Sequence, residues 1–329
     1  MSKKFALLTL LTLGAGANAL LASSYLFYLE AQGVAGWSSA ARKAVFFSMS
    51  REEVMQKPGL GFDYVQRFSG ASGDFAVLAI QGRLAVNSEG DKTVEPQLYN
   101  AFLKFKTSAG DIWIGHNRPK FGLSSYFDSH AQLLQPLAMN GFGFDRDWGV
   151  GVERDTAWGN AGLSLTTGSG MPLHFKGNFF LAARVSKGVL NRDNYNIGLS
   201  AGYGKLLDVM GYHLMSDEPM ESALAGLDAA WLWNNVENRV EAIGGKKGGQ
   251  SAYALFWRAG LNLLDEGRLK LEVQPVVFRT MGMTQVQISA GATYLAHPDW
   301  TLRIMYMYDR ERKDSRIIFQ IYSYKGIRF

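Results

Sequence analysis

The C-terminal thirty residues read WTLRIMYMYD (300–309), RERKDSR (310–316) and IIFQIYSYKGIRF (317–329). In the first stretch Trp300, Leu302, Ile304, Tyr306 and Tyr308 fall on every second position, while Thr301, Arg303 and Asp309 fall between them. The third stretch repeats the pattern with Ile317, Phe319, Ile321, Ile327 and Phe329. A period of two sends successive side chains to opposite faces of a strand, so these are two strands with one apolar and one polar face. The seven polar residues between them make the connecting loop of a hairpin.

Working outward, the same pattern recurs along the chain. Ala76, Leu78, Ile80, Leu84 and Val86 oppose Gln81 and Arg83. Tyr253, Leu255, Trp257, Ala259, Leu261 and Leu263 oppose Arg258 and Asn262, and Val286, Ile288, Ala290, Ala292 and Tyr294 oppose Gln285, Gln287, Ser289 and Thr293. A soluble sandwich alternates too. What separates the cases is where the aromatics lie: Trp300 and Tyr308 sit at strand ends, where interfacial rings of a transmembrane barrel belong. The 20 Phe, 14 Tyr, 8 Trp and 37 Gly suit that reading. No stretch after the N-terminus offers the ~20 uninterrupted apolar residues of a spanning helix, so any crossing is made by strands.

The N-terminus carries Lys3 and Lys4, an apolar run to Leu13 and the small-residue site Ala17-Asn18-Ala19, which reads as a secretory signal peptide over residues 1–19. Residues 20–329 then form one domain, with no internal repeat or linker. Removing the two lysines lowers the net charge from +5 to +3, too little and too dispersed for a nucleic-acid partner. With no cysteine, disulfides, a thiolate metal site and covalently attached haem are all excluded.

Counting connections tests the barrel, because short turns at one end should alternate with longer loops at the other. Turns fall at residues 69–73, 107–110, 155–159, 188–193, 234–235, 265–267 and 297–299. Loops fall at 37–58, 87–96, 118–147, 168–177, 205–221, 244–249, 282–283 and 310–316. Seven turns interleaved with eight loops give sixteen strands. The stretch 205–243 leaves fourteen or eighteen open. The expected fold is an all-β, transmembrane, antiparallel up-and-down barrel of about 16 strands, wide enough for an aqueous channel.

The final strand, ending Tyr324-Lys325-Gly326-Ile327-Arg328-Phe329, resembles the sorting signal of Gram-negative outer-membrane proteins. That resemblance implies an outer-membrane location, a lipid surround, and Phe329 as an assembly signal read by the barrel-assembly machinery. Residues 115–122, Gly-His-Asn-Arg-Pro-Lys-Phe-Gly, are similar to a strand-to-loop motif of the phosphate-selective porin family. That family and the trimeric general porins fold the following loop into the lumen, and the likeness implies a porin with an inward-folded constriction and a homotrimeric assembly. The phosphate-binding ladder of that family cannot be matched position by position, so its selectivity is not carried over.

The loop 118–147 is long and rich in buried-type residues such as Phe121, Leu133, Leu134 and Phe142, so it needs an internal surface to pack on. Its expected constriction residues are Arg118, Lys120, Asp128, His130, Asp145, Arg146 and Asp147. The faces opposite the apolar stripes give Arg67, Arg83, Lys104, Arg184, Arg258 and Arg303 as pore-lining cations, with Lys270 and Arg328 beside them. Glu30, Asp63, Glu153, Asp228 and Glu272 are the anions. The basic excess favours anions weakly; the plainer reading is that these groups meet water and pair across strands.

Enzymatic and metal readings find little support. The histidines lack ligand spacing, a G-x-S-x-G elbow is absent, and neither His116 nor His130 has a serine two residues on. No cofactor is implied. Passive diffusion of small hydrophilic solutes is the expected function. The alternative is a sheath holding a partner protein such as a multihaem cytochrome, and the loop 118–147 discriminates between them, since a folded-in loop would leave no room for a protein.

Overall fold

A computed structural model describes residues 22–45, 57–71, 73–86 and 94–327. The signal segment, residues 46–56 and 87–93, Arg328 and Phe329 lie outside the described residues.

Sixteen long antiparallel strands follow one another around a single sheet. They are β1 (Ala22–Ser38), β2 (Gly59–Gly70), β3 (Gly73–Val86), β4 (Val94–Thr107), β5 (Gly110–Asn117), β6 (Asp147–Thr156), β7 (Gly159–Thr166) and β8 (Phe179–Lys187). Next come β9 (Tyr195–Met210), β10 (His213–Trp233), β11 (Val236–Lys247), β12 (Gln250–Leu263), β13 (Leu269–Thr280), β14 (Met283–His297), β15 (Trp300–Asp309) and β16 (Asp314–Ile327). β1 pairs with β2 on one side and with β16 on the other, from Phe27 opposite Ile327 to Ser38 opposite Arg316, so the sheet closes on itself and no long edge is left. A three-residue strand, Lys43–Val45, folds back on the end of β1.

The alternation read from the sequence is the inside-outside alternation of the barrel. On β12 Tyr253, Leu255 and Trp257 are exposed outside, while Ala252, Ala254, Phe256 and Arg258 are buried inside. On β15 and β16 Leu302, Ile304, Tyr306, Ile317, Phe319 and Ile321 face out, and Met305, Met307, Ile318 and Gln320 face in. The exposed large apolar side chains come from every strand except β11. A belt of this extent is far larger than the patches of a water-soluble monomer, and a lipid surround removes its cost.

The seven short turns and the eight longer connections alternate between the two ends as expected. Three boundaries differ, the first being the loop expected at 244–249, where β11 and β12 run on to a two-residue turn at Gly248 and Gly249, both at positive φ. Residues 205–221 were expected to form a loop; instead β9 and β10 continue to a two-residue turn at Gly211 and Tyr212, with Gly211 at φ 59°. The pairing jumps from Leu206–Met220 to Asp208–Ser216, and this bulge lets Pro219 sit outside the ladder. The polar residues that resemble a loop are on strands that outrun the apolar belt, where both faces meet water. The connection expected at Gly282 and Met283 also lies one residue earlier, at Met281 and Gly282, both at positive φ as a tight hairpin turn requires.

Candidate functional site

Residues 118–146 leave β5 at the loop end of the barrel and fold into its interior. The first leg is fastened to the wall by backbone donors. The Lys120 N–H donates to Ser164 Oγ (2.9 Å), the Gly122 N–H to Ser200 Oγ (3.0 Å) and the Leu123 N–H to Glu241 Oε1 (2.8 Å). Gly122 has φ 63°, and a Cβ there would lie 2.0 Å from Glu241 Oε1, so only glycine allows this approach. Phe121, Leu123, Leu137 and Phe142 pack into one apolar cluster with Phe180, Leu224, Ile243, Phe256 and Phe278 of β8 and β10–β13. Burying four large side chains stabilises this placement by roughly 1.5–3 kcal/mol each before the cost of ordering the loop.

The tip reaches the opposite wall. His130 Nε2 lies 2.7 Å from Glu30 Oε2 on β1, its ring lies tilted against Tyr99 of β4 with the centroids 4.3 Å apart, and the Tyr322 ring of β16 is 6.2 Å away. Glu30 also faces Arg83 at 3.9 Å. The returning leg packs Leu133 and Leu134 against Val34, Met305, Met307 and Ile318 of β1, β15 and β16. Arg258 donates to Leu134 O (2.7 Å) and Gln132 Oε1 (3.0 Å), Gln274 to Gln135 O (3.1 Å), and Lys247 to Gly141 O (2.7 Å). The loop therefore touches strands all round the barrel instead of fringing one side of it.

At the loop's C-terminal end Arg146, 1% exposed, organises a charge cluster. Its guanidinium donates to Asn100 Oδ1 (2.8 Å), Asp145 Oδ2 (3.1 Å) and Asp128 Oδ1 (3.0 Å), and it lies over the Tyr99 ring at 4.4 Å. Tyr99 and Ser129 donate to the Asp145 carboxylate as well (2.9 and 2.6 Å). Burial would raise the Asp128 carboxyl, but Arg146, Arg118 and the His130 N–H outweigh it and hold it well below the usual carboxylate range. Arg118 is pushed down by burial and by Arg146 beside it, and Lys120 by burial, against the pull of Glu153.

The expected constriction residues thus divide. Arg118, Asp128, His130, Asp145 and Arg146 gather between the loop and the β1–β4 wall. Lys120 is buried and joined to Glu153, which also takes Lys104 at 3.1 Å. Asp147 is not on the lumen rim. It is fully buried and accepts from Thr166 and Thr167 Oγ1 and from the N–H groups of Gly168 and Gly170, tying the root of β6 to the connection after β7. Of the expected pore-lining cations, Arg83, Arg184 and Arg258 are buried inside, Arg184 in an ion pair with Asp228 (2.5 Å). Arg303 is half-buried, Lys104 is shared between Glu153 and Asp111, and Arg67 is exposed near the turn end. The reading of the sequence missed Tyr99, Asn100, Arg239, Glu237 and Glu241. Arg239, stacked on loop residue Phe127 at 3.7 Å, was legible as a polar position of an alternating strand.

Two cavities flank the loop. The outer one, about 80 Å³, is lined by loop residues 138–139, 141 and 143–146 and by Gly211, Met220 and Met281 at the loop end. The inner one, about 130 Å³, lies towards the turn end between Gln132, Leu133, Leu134 and the strand residues Arg239, Lys270, Glu272, Thr293, Arg303 and Met305. Among the described residues no group of three or more His, Cys, Asp or Glu is placed to hold a metal ion.

No protein-family profile and no curated protein matches the sequence. Solved structures do match in three dimensions. A loop-deletion form of OmpT, an outer membrane protein of Vibrio cholerae, superposes with a TM-score of 0.65 at 11% identity, covering 92% of this chain and 100% of that one. An anion-selective porin from Comamonas acidovorans gives 0.63 at 12% identity, with 92% and 100% covered. The outer membrane channel DcaP of Acinetobacter baumannii gives 0.57 at 11% identity, with 94% and 98% covered. At these identities the likeness is one of architecture, and this chain has the closed sixteen-strand barrel fold of Gram-negative outer-membrane porins.

Proposed function

We propose that the chain is an outer-membrane channel through which small hydrophilic solutes diffuse passively, with a weak preference for anions and no chemistry performed on them. The observation that carries this reading is residues 118–146 lying within the barrel, fastened to strands on both sides of it, with partly polar cavities left along the loop. A loop held there by hydrogen bonds to β7, β9, β11, β12 and β13 sets the size and charge of what passes. It also occupies the volume that a sheath would keep for a partner protein, which favours the channel over the sheath. The preference for anions rests on Arg258 and Arg303, whose hydrogen-bond partners are all uncharged, whereas Arg184, Lys104 and Lys120 are neutralised by carboxylates.

The same reading places the apolar belt in the lipid of the outer membrane and the turn end on the periplasmic side. It also gives Phe329 the role of an assembly signal for the barrel-assembly machinery. A homotrimer accords with it, one matching structure being a trimer form of OmpT. The test is the refolded protein in a planar bilayer with asymmetric salt: discrete conductance steps are expected, with a reversal potential displaced towards that of the anion. A barrel that folds and inserts yet passes no current would contradict the channel.

A further inference from the structure

We propose that the inner cavity is a binding site for a small organic anion that has a carboxylate head and an apolar body. This deepens the channel reading and rests on it. The cavity is enclosed by Gln132, Leu133 and Leu134 of the loop and by inward-facing residues of β11, β13, β14 and β15. Gln132 of its lining donates to Asp128 O, so the cavity adjoins the Arg146 cluster along the loop.

The head is recognised by an unbalanced set of charges. Arg239 pairs with Glu237, and Lys270 bridges Glu237 (2.8 Å) and Glu272 (3.3 Å). With Arg303 added, three cations face two carboxylates. Arg303 is the unneutralised one: its Nη1 donates to Gln320 Oε1 (2.7 Å) and its guanidinium lies 5.5 Å from the Tyr322 ring centre. A guanidinium has five donors and a planar fork that matches a carboxylate in two parallel hydrogen bonds, so most of its capacity remains for a ligand. Thr293 stands opposite Arg303 in the β14–β15 register and shares its face, which adds a hydroxyl donor.

The body is recognised by the other wall. Leu133, Leu134 and Met305 line the same cavity and are themselves held in an apolar cluster, so their positions are fixed before a ligand arrives. An inorganic anion would satisfy the charge and leave this wall wet; a carboxylate on a short apolar or aromatic group covers both. The cavity volume, about 130 Å³, is close to that which takes a single benzene-sized ring.

Benzoate is a suitable probe, with benzamide as its uncharged counterpart and chloride as a bare anion. Titration calorimetry on the refolded full chain should show benzoate binding to the wild type. An R192Q control, in an exposed turn remote from the cavity, should bind equally, and R303Q at least tenfold more weakly while keeping the heat-resistant compact mobility of a folded barrel. Benzamide should bind far more weakly than benzoate, and equimolar chloride should compete poorly. Equal benzoate affinity in R303Q and wild type would overturn the proposal, as would benzamide binding as tightly as benzoate or chloride displacing benzoate at equal concentration. Binding is measured without current, so a conducting channel that ignores benzoate loses only the subsite, whereas a benzoate-binding barrel that never conducts loses the channel.

Discussion

At the scale of the residue, the placement of the loop is decided by small groups that let its backbone approach the side chains of the wall. Gly122 is the clearest case, because it needs both φ 63° and the space a Cβ would take from Glu241. Gly122→Ala should therefore cost about 1–3 kcal/mol in loop placement with the barrel strands intact. Protease sensitivity of the loop in the refolded protein should rise while the compact mobility of the barrel stays. A variant as protected as wild type would mean that the turn tolerates a side chain. Asp147 teaches a second lesson: among charged residues following a long loop it read as part of the rim, yet it accepts from five donors of the one segment 166–170. Hydrogen bonding to backbone N–H groups distant in sequence leaves no trace in spacing, so that role was not legible.

At the scale of the element, the loop is a folded unit with its own ionic centre, and its pH dependence follows from Asp128. In the folded loop that carboxyl is held below its usual value by Arg146 and Arg118, so the stabilisation is fully present above the ordinary aspartate pKa and is lost only as pH falls through the lower folded value. Loop protection should thus be level from pH 7 down to about 4 and decline only below that, and Asp128→Asn should remove the acid decline. A loss of protection between pH 7 and 5 would contradict this account. The element boundaries themselves were largely legible: alternation and turn residues placed fourteen of the fifteen connections within a few residues, because an apolar outer face and a polar inner face impose a strict period. They failed at 205–221, where β9 and β10 outrun the belt and no longer need an apolar face.

At the scale of the whole molecule, closure and cross-section matter more than any single site. The sequence showed that an apolar loop must pack on something inside the barrel, and Phe121, Leu133, Leu134 and Phe142 do so. It could not show that the loop spans the lumen, because contacts such as His130 with Glu30, a hundred residues apart, depend on how the closed sheet brings β1 opposite β8–β13. The account's central claim is that this loop sets the width of the channel. The most direct measurement is single-channel conductance of a variant lacking residues 124–140, refolded and checked for intact strand content. The account predicts larger conductance steps than wild type and a weaker preference for anions, since Arg258 loses the loop groups that fix its side chain. Conductance equal to wild type in a well-folded deletion would contradict it.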